Sequence, residues 1–393
     1  MEGVSPNVDF LGLNRYPDPY VSMILLELYR IHCPNHCYRH QIELKQLFCN
    51  LRNTHTHTSK SLKPENLFLG VGSDEAIDAL LRCFCTPGKD KILTCPPTYG
   101  MYGVSAQVND LEVVKVSLDT ADKFAIRPDA INQKLSADSS IKIVYICSPG
   151  NPTASLVSKT PLQKILEHPT WNGVVVLDEA YIDFAPDGSS LAEWVTEWPN
   201  LVVMQTLSKA FGLAGIRLGA AFTSPEIARL LNNLKAPYNI SSPTTAVASA
   251  ALAPENIKVM RANRAKILTQ RERLLVELPK IEGIGDFLGG QASNFLLVEI
   301  LDKARDRGGK PSNAVALTVY EGLAENRGVV VRFRGKEEGC TGCLRVTVGT
   351  EKEVDKFLHE IKEIIGEIYS GRVELNGRRQ EEEKETEANG VIA

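Results

Sequence analysis

The sequence predicts an α/β fold: a mostly parallel sheet covered by helices on both faces, with a second, smaller α/β unit toward the C-terminus. Three observations predict it. Apart from Lys142 near the start of the first and Asp178 at the end of the second, the runs Ile141–Cys147, Val174–Asp178 and Leu201–Met204 are continuously apolar rather than alternating, as strands buried on both faces are. Helical spacing recurs between such runs, the order that parallel crossovers require. The chain of 393 residues, 43% hydrophobic and 23% charged, is long enough and apolar enough to fill two cores.

Taken in order, residues 1–60 form an N-terminal segment in which Leu13–Pro19 is turn-like and 20–39 is rich in Cys and His without a period. Helical spacing appears at Ile42, Leu44, Leu47 and Phe48, and Asn53–Lys60 is a polar loop. A large domain is expected over 61–255. It holds a strand near Leu67–Gly70, an N-capped amphipathic helix over Ser73–Leu81, and strands at Lys91–Thr94, Leu111–Val116, Ile141–Cys147, Val174–Asp178, Leu201–Met204 and Ile216–Phe222. Pro161–His168 is helical, and Pro225–Leu278 is rich in helix. A small domain over 256–370 combines strands at Asn294–Ile300, Val329–Arg332 and Leu344–Val348 with helices at Asn313–Asn326 and Glu351–Tyr369. Residues 371–393, rich in Arg and Glu, read as a disordered tail.

A net charge of −4 argues against nucleic acid or an anionic membrane as partner, and Val21–Leu28, broken by Glu27, is too short to span a bilayer. No basic and apolar leader opens the chain, so its nine cysteines read as free thiols in a reducing cytoplasm. Cys340 and Cys343 have zinc-ribbon spacing but lack a second pair and read as a turn; His32, Cys33, His36, Cys37 and His40 have ligand-like spacing, yet no metal is expected there either.

The chemistry gathers at strand ends. Lys209 stands in a Gly-bounded loop, Thr206–Gly219, with Ser208 beside it and Arg217 eight residues on. A lysine so placed suits condensation with an aldehyde as a Schiff base, while Ser208 and Arg217 suit its phosphate. Gly72-Ser73-Asp74-Glu75 opens a helix whose N–H groups point outward, a second phosphate site. Asn151 follows a buried strand between Pro149 and Pro152 and suits donation to a phenolate. Asp178 ends another strand, where a buried carboxylate needs a cation such as a protonated pyridine nitrogen. Tyr181 is in reach of that ring's phenolic oxygen, and Tyr99 offers a face for stacking.

Asn151, Asp178, Tyr181, Lys209 and Arg217, in this order, resemble the site of the fold type I aminotransferases that use pyridoxal 5′-phosphate, over about Leu67–Tyr369. Asn14–Pro19, Pro97–Tyr102, Ala236–Ser241 and Gly342–Gly349 narrow the resemblance to the histidinol-phosphate aminotransferases, and Val329–Gly335 is similar to the fungal members. The resemblance implies a seven-stranded, mixed sheet in a PLP-dependent transferase fold. It implies Lys209 as the catalytic amine and general base, with Ser73, Asp74, Tyr99, Asn151, Asp178, Tyr181, Thr206, Ser208 and Arg217 around the cofactor. Tyr16 would reach the cofactor phosphate of the other subunit of a homodimer, and Arg332, Arg345 and Asn151 would bind substrate. The implied reaction moves an amino group reversibly between L-histidinol phosphate and 2-oxoglutarate, giving imidazole acetol phosphate and L-glutamate, in L-histidine biosynthesis.

Three departures stand against that pattern. The family's Asn-Glu-Asn segment and Gly-Pro turn, expected upstream of Asn14, are not found there; Ala154 stands where glycine is usual; and Tyr20–Arg39 interrupts what should join Pro19 to His40. Val21-Ser22 is encodable as a splice donor, so the interruption reads as a retained intron. The alternatives are another aminotransferase of this fold, of aromatic type, and a catalytically impaired product of a faulty gene model.

Overall fold

The computed structural model describes residues 37–375, and of residues 37–40 only the helical backbone. Tyr16, residues 20–36 of the interruption and the charged tail from 376 onward lie outside the described residues; residues 37–39, expected to end the interruption, instead begin a helix, and Val373 and Leu375, expected in a disordered tail, pack against the core of the second unit. The chain divides into two compact units. Among the described residues, the first comprises 37–118 together with 126–150 and 156–264; the second comprises 119–125, 151–155 and 265–375.

The first unit holds α1 (Cys37–Arg52), β1 (Leu67–Val71), α2 (Gly72–Phe84), β2 (Lys91–Thr94), α3 (Met101–Val108), β3 (Glu112–Lys115), α4 (Pro128–Ala137), β4 (Ile141–Cys147), α5 (Lys159–Leu166), β5 (Val174–Asp178), β6 (Leu201–Thr206), β7 (Leu218–Phe222), α6 (Pro225–Leu234) and α7 (Ser242–Ala251). Its sheet runs β1-β7-β6-β5-β4-β2-β3. The β4–β5, β5–β6, β2–β4 and β2–β3 pairs are parallel, and β7 runs antiparallel to both β1 and β6. The predicted fold class is therefore observed.

Strand parity builds two cores, one on each face of this sheet. Val144, Ile146, Val175, Leu177, Leu201 and Val203 face Leu44, Phe48 and Trp194 on one side. Ile143, Tyr145, Val174, Val176, Val202 and Met204 face Ile77, Leu80 and Tyr102 on the other. Because β1, β2, β4, β5 and β6 run the same way, the segments after them and the segment entering β7 all emerge at one sheet edge. Ligands collect at such an edge in open α/β sheets.

The helix α8 (Pro254–Glu277) contains the division between the units. The second unit continues with β8 (Ile284–Leu288), β9 (Phe295–Ile300), α9 (Asn313–Asn326), β10 (Arg332–Phe333), β11 (Cys343–Thr347) and α10 (Glu351–Tyr369). Its antiparallel sheet, β10-β11-β9-β8, packs Leu296, Val298, Leu344 and Val346 against Val319 and Leu323 of α9 and Ile361 and Ile365 of α10. Thr350 caps α10 in a reciprocal capping box with Glu353.

Several elements differ from expectation. Helices α3 and α4 and strand β8 go unpredicted; β8 carries Gly285 and Asp286, residues that strands disfavour. Val329–Val331 is not strand: Val330 is exposed, and only Arg332 and Phe333 pair with β11. The run Ile216–Phe222 yields strand only from Leu218, since Arg217 is left-handed. Helix α2 has no side-chain cap; it starts one residue earlier, at Gly72, whose φ of +73° lets the chain turn sharply out of β1. No helix among the described residues is long and apolar enough to cross a membrane.

Candidate active site

Asp178 is the last residue of β5 and is 2% exposed. Parity turns its side chain to the Tyr102 face. There the Tyr102 hydroxyl donates to Oδ2 at 2.6 Å, while the Ala180 N–H donates to Oδ1 at 3.1 Å. Burial raises its pKa against the lowering effect of both donors, and Lys209 adds a smaller lowering pull. Burial and the nearby Asp178 hold the Tyr102 phenol far above its ordinary pKa, so it stays a donor. The ring is fixed by stacking on Tyr145 at 4.7 Å and by an edge contact with Tyr99 at 5.5 Å. A carboxylate buried this deeply, with neutral hydrogen-bond donors, is matched by a cation aimed at it.

Lys209 lies in the loop after β6, with Nζ 5.3 Å from the centroid of the Tyr181 ring. Thr206 and Ser208 are tied together in that loop: Thr206 Oγ1 donates to Ser208 Oγ at 2.9 Å and accepts the Ser208 N–H at 3.1 Å. Arg217, at φ +53°, is held in the left-handed region while its carbonyl accepts the Gly72 N–H at 3.1 Å. Its guanidinium is a long 3.5 Å from Asp74 Oδ2, and Tyr99 donates to Asp74 Oδ1 at 3.2 Å. Asp74 thus orients Arg217 and Tyr99, and its carboxylate is not itself a phosphate ligand.

Beside Arg217 the backbone comes unusually close. A Cβ on Gly219 would fall 2.4 Å from Gly72 C and Ser73 N, and one on Gly72 would fall 2.6 Å from Arg217 Nη2. Only glycine permits this packing, which brings the first N–H groups of α2 next to the guanidinium. The helix N-terminus, Arg217, Ser208 and Thr206 have the donor chemistry of an anion cradle. An amine, a buried carboxylate and an anion cradle on one sheet edge fit a phosphorylated pyridine aldehyde.

In the second unit, Arg345 of β11 donates from Nη1 to Asn151 Oδ1 at 2.6 Å and lies 5.0 Å over the Phe295 ring. With its oxygen so used, the Asn151 amide has its N–H groups as the donors that a phenolate would require. Arg332 of β10 is the direct cross-strand partner of Arg345, so two guanidinium groups stand on one face of the hairpin. Ala154, three residues after Asn151, sits fully buried at φ +52°.

The residues sequence reasoning gathered at strand ends thus fall into two sets: Ser73, Asp74, Tyr99, Asp178, Tyr181, Thr206, Ser208, Lys209 and Arg217 in the first unit, Asn151, Arg332 and Arg345 in the second. Tyr16 lies outside the described residues. Tyr102 was missed as the partner of Asp178, although it lies in the Pro97–Tyr102 segment; only its burial and register distinguish it from Tyr99. Cys340 and Cys343 occupy a turn, Cys343 N–H to Cys340 O at 3.0 Å, and no group of three or more potential metal ligands occurs among the described residues.

Comparison with known proteins is consistent with this arrangement. Residues 36–361 match the family model "Aminotransferase class I and II". The histidinol-phosphate aminotransferase of Schizosaccharomyces pombe is 52% identical over 365 residues, 93% of this chain and 88% of that protein. That of Candida maltosa is 47% identical over 362 residues, covering 91% and 86%. Among solved structures, the Clostridium acetobutylicum histidinol-phosphate aminotransferase superposes with a TM-score of 0.70 at 24% identity, covering 86% of this chain and 92% of that one. The Sinorhizobium meliloti enzyme, in complex with pyridoxal 5′-phosphate, gives 0.70 at 22%, covering 84% and 82%.

Proposed function

Because the chain belongs to the class I and II aminotransferase family, and within it to the histidinol-phosphate aminotransferases, we propose that it transfers an amino group reversibly between L-histidinol phosphate and 2-oxoglutarate in L-histidine biosynthesis. The enzymes of this family depend on pyridoxal 5′-phosphate. The observation that carries the reading is Asp178: a carboxylate buried at the sheet edge that Lys209 and Arg217 share, hydrogen-bonded by neutral groups alone.

When bound, pyridoxal phosphate supplies an aldehyde that condenses with amines and a ring that accepts the electron pair left at the substrate α-carbon. Lys209 Nζ is the amine that would hold it. Displaced by the substrate's amine, the same Nζ would be placed to take the proton from the substrate α-carbon and to return it to C4′. Asp178 would keep the ring nitrogen protonated, and Tyr102 and the Ala180 N–H keep Asp178 aimed. Tyr181 and Asn151 would hydrogen-bond the ring hydroxyl. Arg217, Ser208, Thr206 and the N–H groups of Ser73 and Asp74 would bind the phosphate, with Tyr99 against the ring. Arg345 and Arg332 would hold the substrate's phosphate in one half-reaction and the carboxylates of glutamate in the other, anions that a guanidinium fork grips bidentately.

We further take the working form to be a cytoplasmic homodimer, with Tyr16 reaching the cofactor phosphate of the neighbouring subunit. Mixing two inactive variants, Tyr16→Ala and Lys209→Ala, and recovering activity in the mixture would test that sharing. For the reaction itself, the test is the visible absorbance of the loaded protein. It should bleach on addition of L-histidinol phosphate or glutamate, return with 2-oxoglutarate, and respond less to phenylalanine. Lys209→Ala should lose at least about 10³-fold in turnover. Bleaching by phenylalanine in preference to histidinol phosphate would instead favour an aromatic aminotransferase.

A further inference from the structure

A buried polar chain lies on the face of the sheet opposite Asp178, and no step above uses it. Parity creates it: Glu179 follows Leu177 and Gln205 follows Val203 on the face that packs against α1. Glu179 is 1% and Gln205 2% exposed. Gln205 Nε2 donates to Glu179 Oε2 at 2.8 Å, and that carboxylate also accepts the Ser190 hydroxyl and the Leu191 N–H, each at 2.7 Å. On its other side, Gln205 Oε1 accepts Arg52 Nε–H at 2.7 Å. The Nη atoms of Arg52 meet Asp183 at 2.8 and 3.0 Å, with the two side chains 10% and 13% exposed. Three of its members, Glu179, Asp183 and Gln205, sit next to the site in sequence. Glu179 follows Asp178, Asp183 comes just after Tyr181, and Gln205 precedes Thr206 and the Lys209 loop.

We propose that Arg52 is a positioning residue for the cofactor site: by bridging Gln205 and Asp183, and Glu179 through Gln205, it fixes the ends of β5 and β6 in one register. The proposal deepens the functional reading above and rests on it. Replacing a buried ion pair with apolar side chains of similar size is often neutral or stabilising, so cohesion alone does not account for one here. What apolar packing cannot supply is direction. A guanidinium is a planar fork whose Nε and Nη donors satisfy two acceptors at a fixed angle; an ammonium is a point charge on a flexible stem. The fork joins the β6 end to the turn after β5, the two segments from which Lys209, Asp178 and Tyr181 project.

Arg52→Lys and Gln205→Leu test this, measured by pyridoxal phosphate titration, by kcat and KM, and by melting of the cofactor-free protein. Leu231→Ala serves as the comparator: this fully buried residue of α6 lies in the core of the same unit but outside the network. Arg52→Lys should weaken cofactor binding and lower kcat, each about tenfold, and leave the KM for histidinol phosphate within about twofold. Gln205→Leu should act in the same direction, and it decides the matter if Arg52→Lys does not fold. Leu231→Ala should lower the melting temperature and leave cofactor affinity unchanged. The proposal falls if either network variant binds cofactor and turns over like the parent. It falls equally if Leu231→Ala weakens cofactor binding as much for the same loss in melting temperature. A parent protein that takes up no pyridoxal phosphate would instead sink the functional reading.

Discussion

The end of β5 and the β10–β11 pair pose opposite electrostatic problems. At β5 an acid is buried and given neutral donors, so the fold concentrates negative charge where a cation would relieve it. At β10–β11 the sheet register sets Arg332 directly across from Arg345, an arrangement that costs stability unless an anion sits between or beside them. A core selected for stability alone would contain neither. The contrast teaches what each region would suit on the proposed function: a protonated ring nitrogen at the first, phosphate or carboxylate at the second.

The sharpest way to break the comparison is Asp178→Asn, which keeps the shape and removes the charge. Turnover should fall about 10²- to 10³-fold, and Tyr102→Phe should give a smaller loss of about tenfold, both read by steady-state kinetics. An Asp178→Asn enzyme with parental kcat would show that this carboxylate is merely tolerated.

Glu179, next to Asp178 on the same strand end, sharpens the contrast through pH. Burial pushes its carboxyl from 4.5 up to about 7, against the lowering effects of the Leu191 N–H, Ser190, Gln205 and Arg52. The folded state therefore binds a proton more readily than the unfolded state. The associated stability is fully present below the unfolded pKa and is lost as pH rises through about 7. The loss is on the order of 3 kcal/mol. Chemical denaturation between pH 5 and 8 should show this decline, and Glu179→Gln should flatten it.

On the opposite side of the comparison, Arg345→Ala should raise KM for histidinol phosphate and for glutamate about 10- to 100-fold with a smaller change in kcat. Arg332→Ala, at the exposed member of the pair, should cost less. Equal KM values in Arg345→Ala and the parent would remove the hairpin from substrate binding. The smallest expected effect is at Ala154, whose left-handed backbone suits glycine. Ala154→Gly should change stability by less than about 1 kcal/mol in urea unfolding, because relief of the left-handed backbone is offset by the lost buried methyl and by the greater freedom glycine brings to the unfolded chain.

Much of this was legible in the linear order of residues. Continuous apolar runs ending in polar residues marked β4, β5 and β6 closely, because a strand buried on both faces has few ways to be written. Asp178 stood out because it ends such a run with a charge, and Lys209 and Arg217 because they stand in the glycine-bounded loop that follows another. The Ser73 cap did not hold, because Gly72 alone can take the left-handed turn into α2. Strand β8 escaped notice because its sequence, Ile-Gly-Asp-Phe-Leu, gains strand character from its neighbours and not from propensity.

By itself, the sequence determined the order of the central strands, the mostly parallel sheet and the amine, acid and arginines at or near strand ends, since burial and charge are written locally. Only the tertiary structure decided which of two nearby tyrosines holds Asp178, that Arg52 reaches Gln205 and Asp183 across more than a hundred residues of chain, and that Arg332 faces Arg345. Those choices depend on strand parity and register between distant segments, and no local pattern records them.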